Sequence, residues 1–591
     1  VDGAQLASAA PDSDTQSIAV SAITGTDGFN WGYDPLHFTT PEGSYSTNPN
    51  DTTRIVEFRD MVQSLNQSGL RVVMDVVYNH TNASGQTANS VLDKVVPGYY
   101  HRLNGDGGVE KSTCCENTAT EHEMMRKLMI DSLTTWAVDY KVDGFRFDLM
   151  GHHMLADMQA VRAALDSLTL EKDGVDGKSI YVYGEGWDFG EVAGNSHGKN
   201  ATQLNIAGTG IGVFNDRLRD AVRGGSPFTD PRVQGFATGL VLANNTNETG
   251  KPEDQLIQLN KYSDWIKLGL AGNLASYEIT SASGDLLPGR LIGYNNNPAA
   301  YTADPQENII YVSAHDNQTI FDGVQAKAPA DATLADRIRM NNLALSIPMF
   351  SQGVPFFHAG DDILRSKSFN PNSYNSGDWY NKLDWTYESN NWGVGLPLEG
   401  TAQWDIYKPL LADPTIAPAK TDIESASAVF REFLSIRKSS ALFRLQTADQ
   451  IKKSVSFLNT GPEQVPGLIV MHLTDKAGID ENYKDIVVIF NSRPEAVTFT
   501  DAALSGSYIL HPIQQNSADA ITKTASYSAD TFNVPARTTA VFVIEEAKPA
   551  ATATTAPVGT DSGSSSTLVI VLGVVAALAG LVFFLIRRRK A

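Results

Sequence analysis

From residue 53 the chain alternates between two hydrophobic periods. In RIVEFRDMVQSLNQSG (54–69), Ile55, Phe58, Val62 and Leu65 recur at helical spacing, and Gly69 is placed to stop the helix. LRVVMDVVYNH (70–80) then reads as a buried strand. EHEMMRKLMIDSLTTWAVDY (121–140) returns to the helical period through Met125, Leu128, Met129, Leu133 and Trp136. GFRFDLM (144–150) is the next strand, and MLADMQAVRAALDSL (154–168) the next helix, with Met154, Met158, Val161 and Leu165 on one face. SIYVYGEGW (179–187) completes the pattern as a strand. Such alternation implies right-handed βαβ units around a parallel sheet. GIGVFND (210–216), NIIYVSAHDN (308–317) and the run SIPMFSQGVPFFHAG (346–360) are further strand candidates. That makes about six strands where a closed barrel takes eight. Residues 1–29 hold no convincing strand with a helix behind it. The expected fold is therefore α/β, a TIM-type (β/α)8 barrel lacking its first strands, over residues 1–440.

Beyond residue 440 the pattern changes. GLIVMHLTD, KDIVVIFNS, AVTFTD, SGSYILHP and TTAVFVIEE are short strands between Gly, Pro, Asn and Asp turns. They predict an antiparallel β-sandwich over 441–546. Residues 547–566, AKPAATATTAPVGTDSGSSS, read as a flexible linker. TLVIVLGVVAALAGLVFFLI (567–586) carries no charge and has the length of a transmembrane helix, with the basic tail RRRKA at 587–591. On this reading the protein is extracellular and anchored to a bacterial membrane or cell surface. Covalent wall attachment is not expected, because APVGTD lacks the leucine of a sortase signal. The chain begins with Val and shows no export signal, so a fragment or processed form is expected.

Composition narrows the function. Of 591 residues 42% are apolar, enough for a large core in more than one domain. A net charge of −21 argues against nucleic acid as a partner. The two cysteines, Cys114 and Cys115, are adjacent and are read as free, partly buried thiols. They provide too few ligands for a zinc site, and no metal ligand is assigned.

The chemistry lies at the strand ends. Asp148 follows GFRF, Glu185 follows SIYVYG, and Asp316 follows NIIYVSAH. Catalytic residues of such barrels sit at the C-terminal ends of strands. Glycosidic cleavage needs carboxylates delivered in this way, one to attack or activate water and one to donate a proton. Arg146, two residues before Asp148, shares its face and is expected to keep that carboxylate ionised. Taken singly, each of these residues has an ordinary reading as a cap, an ion pair or a loop contact; together they point to a hydrolase site.

DVVYNH (75–80), DGFRFDLMGHH (143–153), YGEGWD (183–188) and VSAHDN (312–317) resemble the four ordered regions of the α-amylase superfamily. FNWGYDP (29–35), LRSKSFNPNSYNSGDWYNKLDW (364–385) and RKSSALFRL (437–445) are similar to its type I pullulanase group, and the likeness runs from about residue 29 to 545. The resemblance implies Asp148 as nucleophile, Glu185 as acid and then base, and Asp316 as stabiliser of the oxocarbenium-like transition state. It implies Tyr33 and Trp187 as sugar-stacking rings, His80 and His315 as hydroxyl ligands, and Asp362 with Arg365 around a deeper sugar, Asp361 being the other candidate for that carboxylate. Asp75 is read as structural. Two departures stand out: Ala314 where the group has a lysine, and CCEN (114–117) where it has a more Gly-rich string.

The implied activity is retaining hydrolysis of α-1,6-glucosidic bonds in pullulan, starch or glycogen-derived dextrins, with an α-glucan as the partner. No cofactor is required, and a structural calcium is allowed. The alternatives are an α-1,4 or mixed-specificity amylase, and a surface α-glucan-binding protein without activity.

Overall fold

The computed structural model describes residues 2–546 apart from 29, 246, 248 and 249. Six strands, β1 (Val73–Val76), β2 (Gly144–Phe147), β3 (Tyr181–Gly184), β4 (Gly212–Phe214), β5 (Asn308–Ile310) and β6 (Val354–Pro355), form one sheet in chain order. Every neighbouring pair is parallel. Among the described residues β1 and β6 are the two ends of this sheet and do not pair with each other.

The helices between the strands follow from their periodicity. α1 (Thr53–Gln67) turns Val62 inward, α2 (Glu123–Val138) turns in Met129, Leu133 and Trp136, and α3 (Leu155–Asp166) turns in Met158, Val161 and Leu165. All of them meet Phe145, Phe147, Val182 and Val213 of the sheet in one core. Each such side chain contributes about 1.5–3 kcal/mol by leaving water, so packing, more than helix propensity, holds these elements in place. α4 (Asp216–Arg223), α5 (Pro252–Leu270), α6 (Ile320–Lys327) and α7 (Leu334–Phe350) complete the layer, with α8 (Lys420–Ser439) after β6.

The run at 346–360 is not one strand. Ser346–Phe350 is the buried last turn of α7, and only Val354–Pro355 pairs in the sheet. A short apolar run has the same appearance as a buried helix end or a buried strand, and here the helical period begun at Leu334 continues through it.

The C-terminal strands are β7 (Val455–Leu458), β8 (Leu468–Thr474), β9 (Tyr483–Asn491), β10 (Val497–Thr500), β11 (Ile509–Leu510), β12 (Ser526–Ser528), β13 (Thr531–Val534) and β14 (Thr538–Glu545). They form a five-stranded antiparallel sheet, β7-β8-β9-β14-β11, and a three-stranded one, β10-β13-β12. Val487 and Ile489 face the small sheet, while Ile486, Val488 and Phe490 face the helical layer with Leu343 and Ile347. Burial on both faces explains why KDIVVIFNS reads as an unbroken apolar run. This packing is continuous, and the residues up to Glu546 form a single compact unit.

The expected membrane anchor is corrected. Among the described residues no helix is long and apolar enough to cross a membrane. The linker at 547–566, the span at 567–586 and the tail at 587–591 lie outside the described residues.

Candidate active site

The strand register brings the charged residues together. Asp75 on β1 is opposite Arg146 on β2, and Arg146 is opposite Tyr183 on β3. The Arg146 guanidinium meets three carboxylates: Nη1 lies 2.8 Å from Asp75 Oδ1 and 3.3 Å from Asp148 Oδ1, and Nη2 lies 3.0 Å from Glu185 Oε1. Its side chain is 8% exposed. Its planar fork can address several carboxylates at once, and their attraction raises its pKa further despite burial.

The chain turns sharply just past the end of β2 and again in the loop after β5. Leu149 adopts φ 38°, a left-handed conformation that costs a leucine about 1–3 kcal/mol. In this position its N–H donates to Glu185 Oε2 at 3.0 Å. Asn317, after Asp316, has φ 61°. Gly184 lets Glu185 sit close to β2, because a Cβ there would lie 2.5 Å from the Phe147 carbonyl oxygen.

These groups open onto a cavity of about 770 Å³. Asp75, Arg146, Glu185, Trp187, His315 and Asp316 line it, with Tyr183, Phe214, Tyr311 and Phe356 as its apolar wall. Tyr33, on the N-terminal segment, contacts two of the lining residues, its hydroxyl donating to Asp75 Oδ2 at 2.5 Å and lying 3.2 Å from His315 Nε2. His80 Nε2 is 2.7 Å from the Tyr33 carbonyl oxygen, which fixes the loop that carries Tyr33. His315 packs against Trp31 with ring centres 4.4 Å apart and planes tilted by 35°, and Lys367 donates from Nζ to the His315 carbonyl.

Burial first, and then Glu185, push Asp148 up to about 7. Arg146 acts in the expected direction, toward the ionised form, but only partly offsets burial and Glu185. One cation shared among three carboxylates does not offset desolvation plus a like-charged neighbour. Burial raises the Asp316 carboxyl as well, although about half of its side chain (54%) faces the open cavity. Burial lowers His315 to about 4, followed by the repulsion of Arg146, so the ring is neutral at pH 7. Burial likewise lowers Lys367 to about 7.

Asp362 and Arg365 do not line this cavity. Asp362 accepts from Ser427 Oγ at 3.2 Å, while Arg365 donates to the Ala359 carbonyl at 2.8 Å and the Asn381 carbonyl at 2.9 Å. Conversely, sequence reasoning missed Trp31 and Lys367, and treated Asp75 as structural. Asp75 had a visible signal, an ionisable side chain inside an apolar strand. Lys367 had none, since only folding brings it beside residue 315.

The cysteines are also corrected: Cys114 and Cys115 are disulfide-bonded to each other. Consecutive cysteines can close such a ring where the chain turns, and Thr113 Oγ1 braces this turn by donating to Asn117 Oδ1 at 2.5 Å. Among the described residues the one His/Cys/Asp/Glu group able to hold a metal is Asp34, His80, Cys114 and Cys115. Calcium prefers six to eight oxygens, and this set offers sulfur, nitrogen and a single carboxylate.

The family described as alpha-1,6-glucosidases, pullulanase-type, C-terminal, matches residues 387–545. The chain is 50% identical over 557 residues to pullulanase 1, chloroplastic, of Arabidopsis thaliana, covering 92% of this chain and 58% of that one. It is 41% identical to the pullulanase of Klebsiella pneumoniae, covering 89% and 48%. The solved maltotriose complex of PulA from Klebsiella pneumoniae superposes with a TM-score of 0.86 at 40% identity, over 92% of this chain and 58% of that one. Over most of its length the chain is similar to proteins named pullulanase. It spans about half the length of the curated relatives it matches. A bacterial-surface location loses its support, since no anchoring helix occurs among the described residues and one of these pullulanases is chloroplastic by name.

Proposed function

We propose that this chain carries the catalytic part of a retaining glycoside hydrolase that cleaves α-1,6-glucosidic bonds in pullulan, starch or glycogen-derived dextrins. The observation that carries the reading is the Arg146 guanidinium bonded to both Asp148 and Glu185, with Arg146 and Glu185 lining a sugar-sized cavity. Carboxyl groups bridged by one guanidinium are close enough for the retaining mechanism, in which they stand about 5–5.5 Å apart. Asp148 attacks the anomeric carbon while Glu185 protonates the departing oxygen; Glu185 then deprotonates the water that releases the sugar. Asp316 stabilises the positive charge that develops at the ring. Trp187 and Tyr33 cover the apolar faces of adjoining sugars, and His80 and neutral His315 bond hydroxyls. Residues 1–440 hold this chemistry and 441–546 brace the helices behind it.

The relatives named pullulanase, and the maltotriose bound to one of them, support the same substrate class. The test is the product from pullulan, resolved by chromatography. Maltotriose is expected; panose or isopanose would replace the assignment by α-1,4 cleavage, and binding without product would leave only a glucan-binding protein.

A further inference from the structure

The Cys114–Cys115 disulfide lies beside Asp34 and beside His80, a residue the proposed hydrolysis also uses. Cys115 Sγ is 3.3 Å from Asp34 Oδ1, and Cys114 Sγ is 3.8 Å from His80 Nε2. One ligand atom from each of the four residues falls within 4.8 Å of all the others. Ligands around a tetrahedral zinc-class ion are roughly 3.3–3.8 Å apart, from metal–sulfur bonds of about 2.3 Å and metal–nitrogen or metal–oxygen bonds of about 2.0–2.2 Å. We propose that, when reduced, Cys114 and Cys115 join His80 and Asp34 in a site for a soft divalent cation, and that the bound ion dismantles the sugar site.

A dithiol supplies two electrons and two protons to the Cys114–Cys115 bond and becomes a disulfide itself. The two new thiols each lose a proton to solvent as they bind the ion. Being adjacent in sequence, they stay together after the bond opens. Two thiolates and an imidazole suit zinc-class ions and do not suit magnesium or calcium. A neutral imidazole offers a nitrogen lone pair to such an ion. His80 Nε2, however, is the atom 2.7 Å from the Tyr33 carbonyl oxygen. Metal at that nitrogen replaces this hydrogen bond and releases the loop whose Tyr33 hydroxyl meets Asp75. This last consequence rests on the function proposed above; the metal site does not.

The test is titration with Co²⁺ of the full chain, oxidised and reduced with a phosphine. The reduced protein is expected to bind one equivalent with thiolate-to-cobalt charge-transfer bands, and the oxidised protein none. Cys114→Ser/Cys115→Ser abolishes the bands, and Asp34→Asn keeps them while binding about tenfold more weakly, the loss of one ligand interaction of about 1.4 kcal/mol. Absence of uptake by the reduced chain, uptake without a thiolate band, or equal uptake by the oxidised chain would overturn the site. The oxidised and reduced comparison needs no variant and so survives any folding defect. Co²⁺ is also expected to stop maltotriose release from pullulan in the reduced protein only. Binding without inhibition would overturn the blockade alone, whereas a metal-free protein that releases nothing from pullulan counts against the hydrolase reading.

Discussion

Asp148→Asn is expected to make the protein inactive and, near neutral pH, more stable. The Asp148 carboxyl is pushed from an ordinary 3.8 up to about 7, chiefly by burial and then by Glu185. Its side chain is 14% exposed, so solvent screening removes little of this effect. A raised acid binds more protons in the folded chain than in the unfolded one between these two values. Stability contributed by this residue is therefore complete below about pH 4, falls as pH rises, and is fully lost above about 7. A shift of about three units at about 1.4 kcal/mol each gives a ceiling of about 4 kcal/mol. Relaxation and water around a charged carboxylate lower this ceiling, and about 2 kcal/mol is the expectation for the single change. Asparagine keeps an oxygen for Arg146 and cannot ionise. Thermal unfolding of both proteins from pH 4 to 8 is the assay: the variant should match the wild type at pH 4 and gain steadily towards pH 8. A gain that does not vary with pH, or a variant less stable at pH 8, would refute the electrostatic argument. Normal turnover by the variant would remove Asp148 from the mechanism.

Three further outcomes are expected. Glu185→Gln should reduce pullulan turnover by at least about a hundredfold while maltotriose binding by calorimetry persists, since general acid–base catalysis contributes about 10²–10⁴. Lys367→Met removes the donor to the His315 carbonyl. It should cost about tenfold in kcat/KM, the size of one hydrogen bond to a charged group, with unchanged kinetics arguing against a positioning role. Gly184→Ala puts a methyl group 2.5 Å from the Phe147 carbonyl, costing about 1–3 kcal/mol of stability by overpacking and moving Glu185. Its kcat should fall more than its maltotriose affinity.

Much of the α/β layer was legible because each helix exposes only one apolar stripe to the sheet. Val62 and Trp136 announce this by spacing alone. The misread stretch, Ser346–Phe350, is apolar on every side because it is buried on every side, and periodicity then carries no information. The pairing of Cys114 with Cys115 was missed for another reason: it depends on a loop turn held by neighbouring side chains, and sequence adjacency does not reveal that.

The sequence by itself determined most element types, the βαβ order and the delivery of Asp148 and Glu185 to strand ends, because these depend on local periodicity and on the fixed relation between a strand and the residue that leaves it; Asp316 lies six residues past the end of β5. Tertiary structure alone decided that Arg146 is divided among three carboxylates, that Lys367 supports His315 across 52 residues of chain, and that Asp362 turns to Ser427, away from the cavity. Those outcomes depend on distances between segments far apart in the chain, and on how far burial outweighs charge, and neither quantity is local.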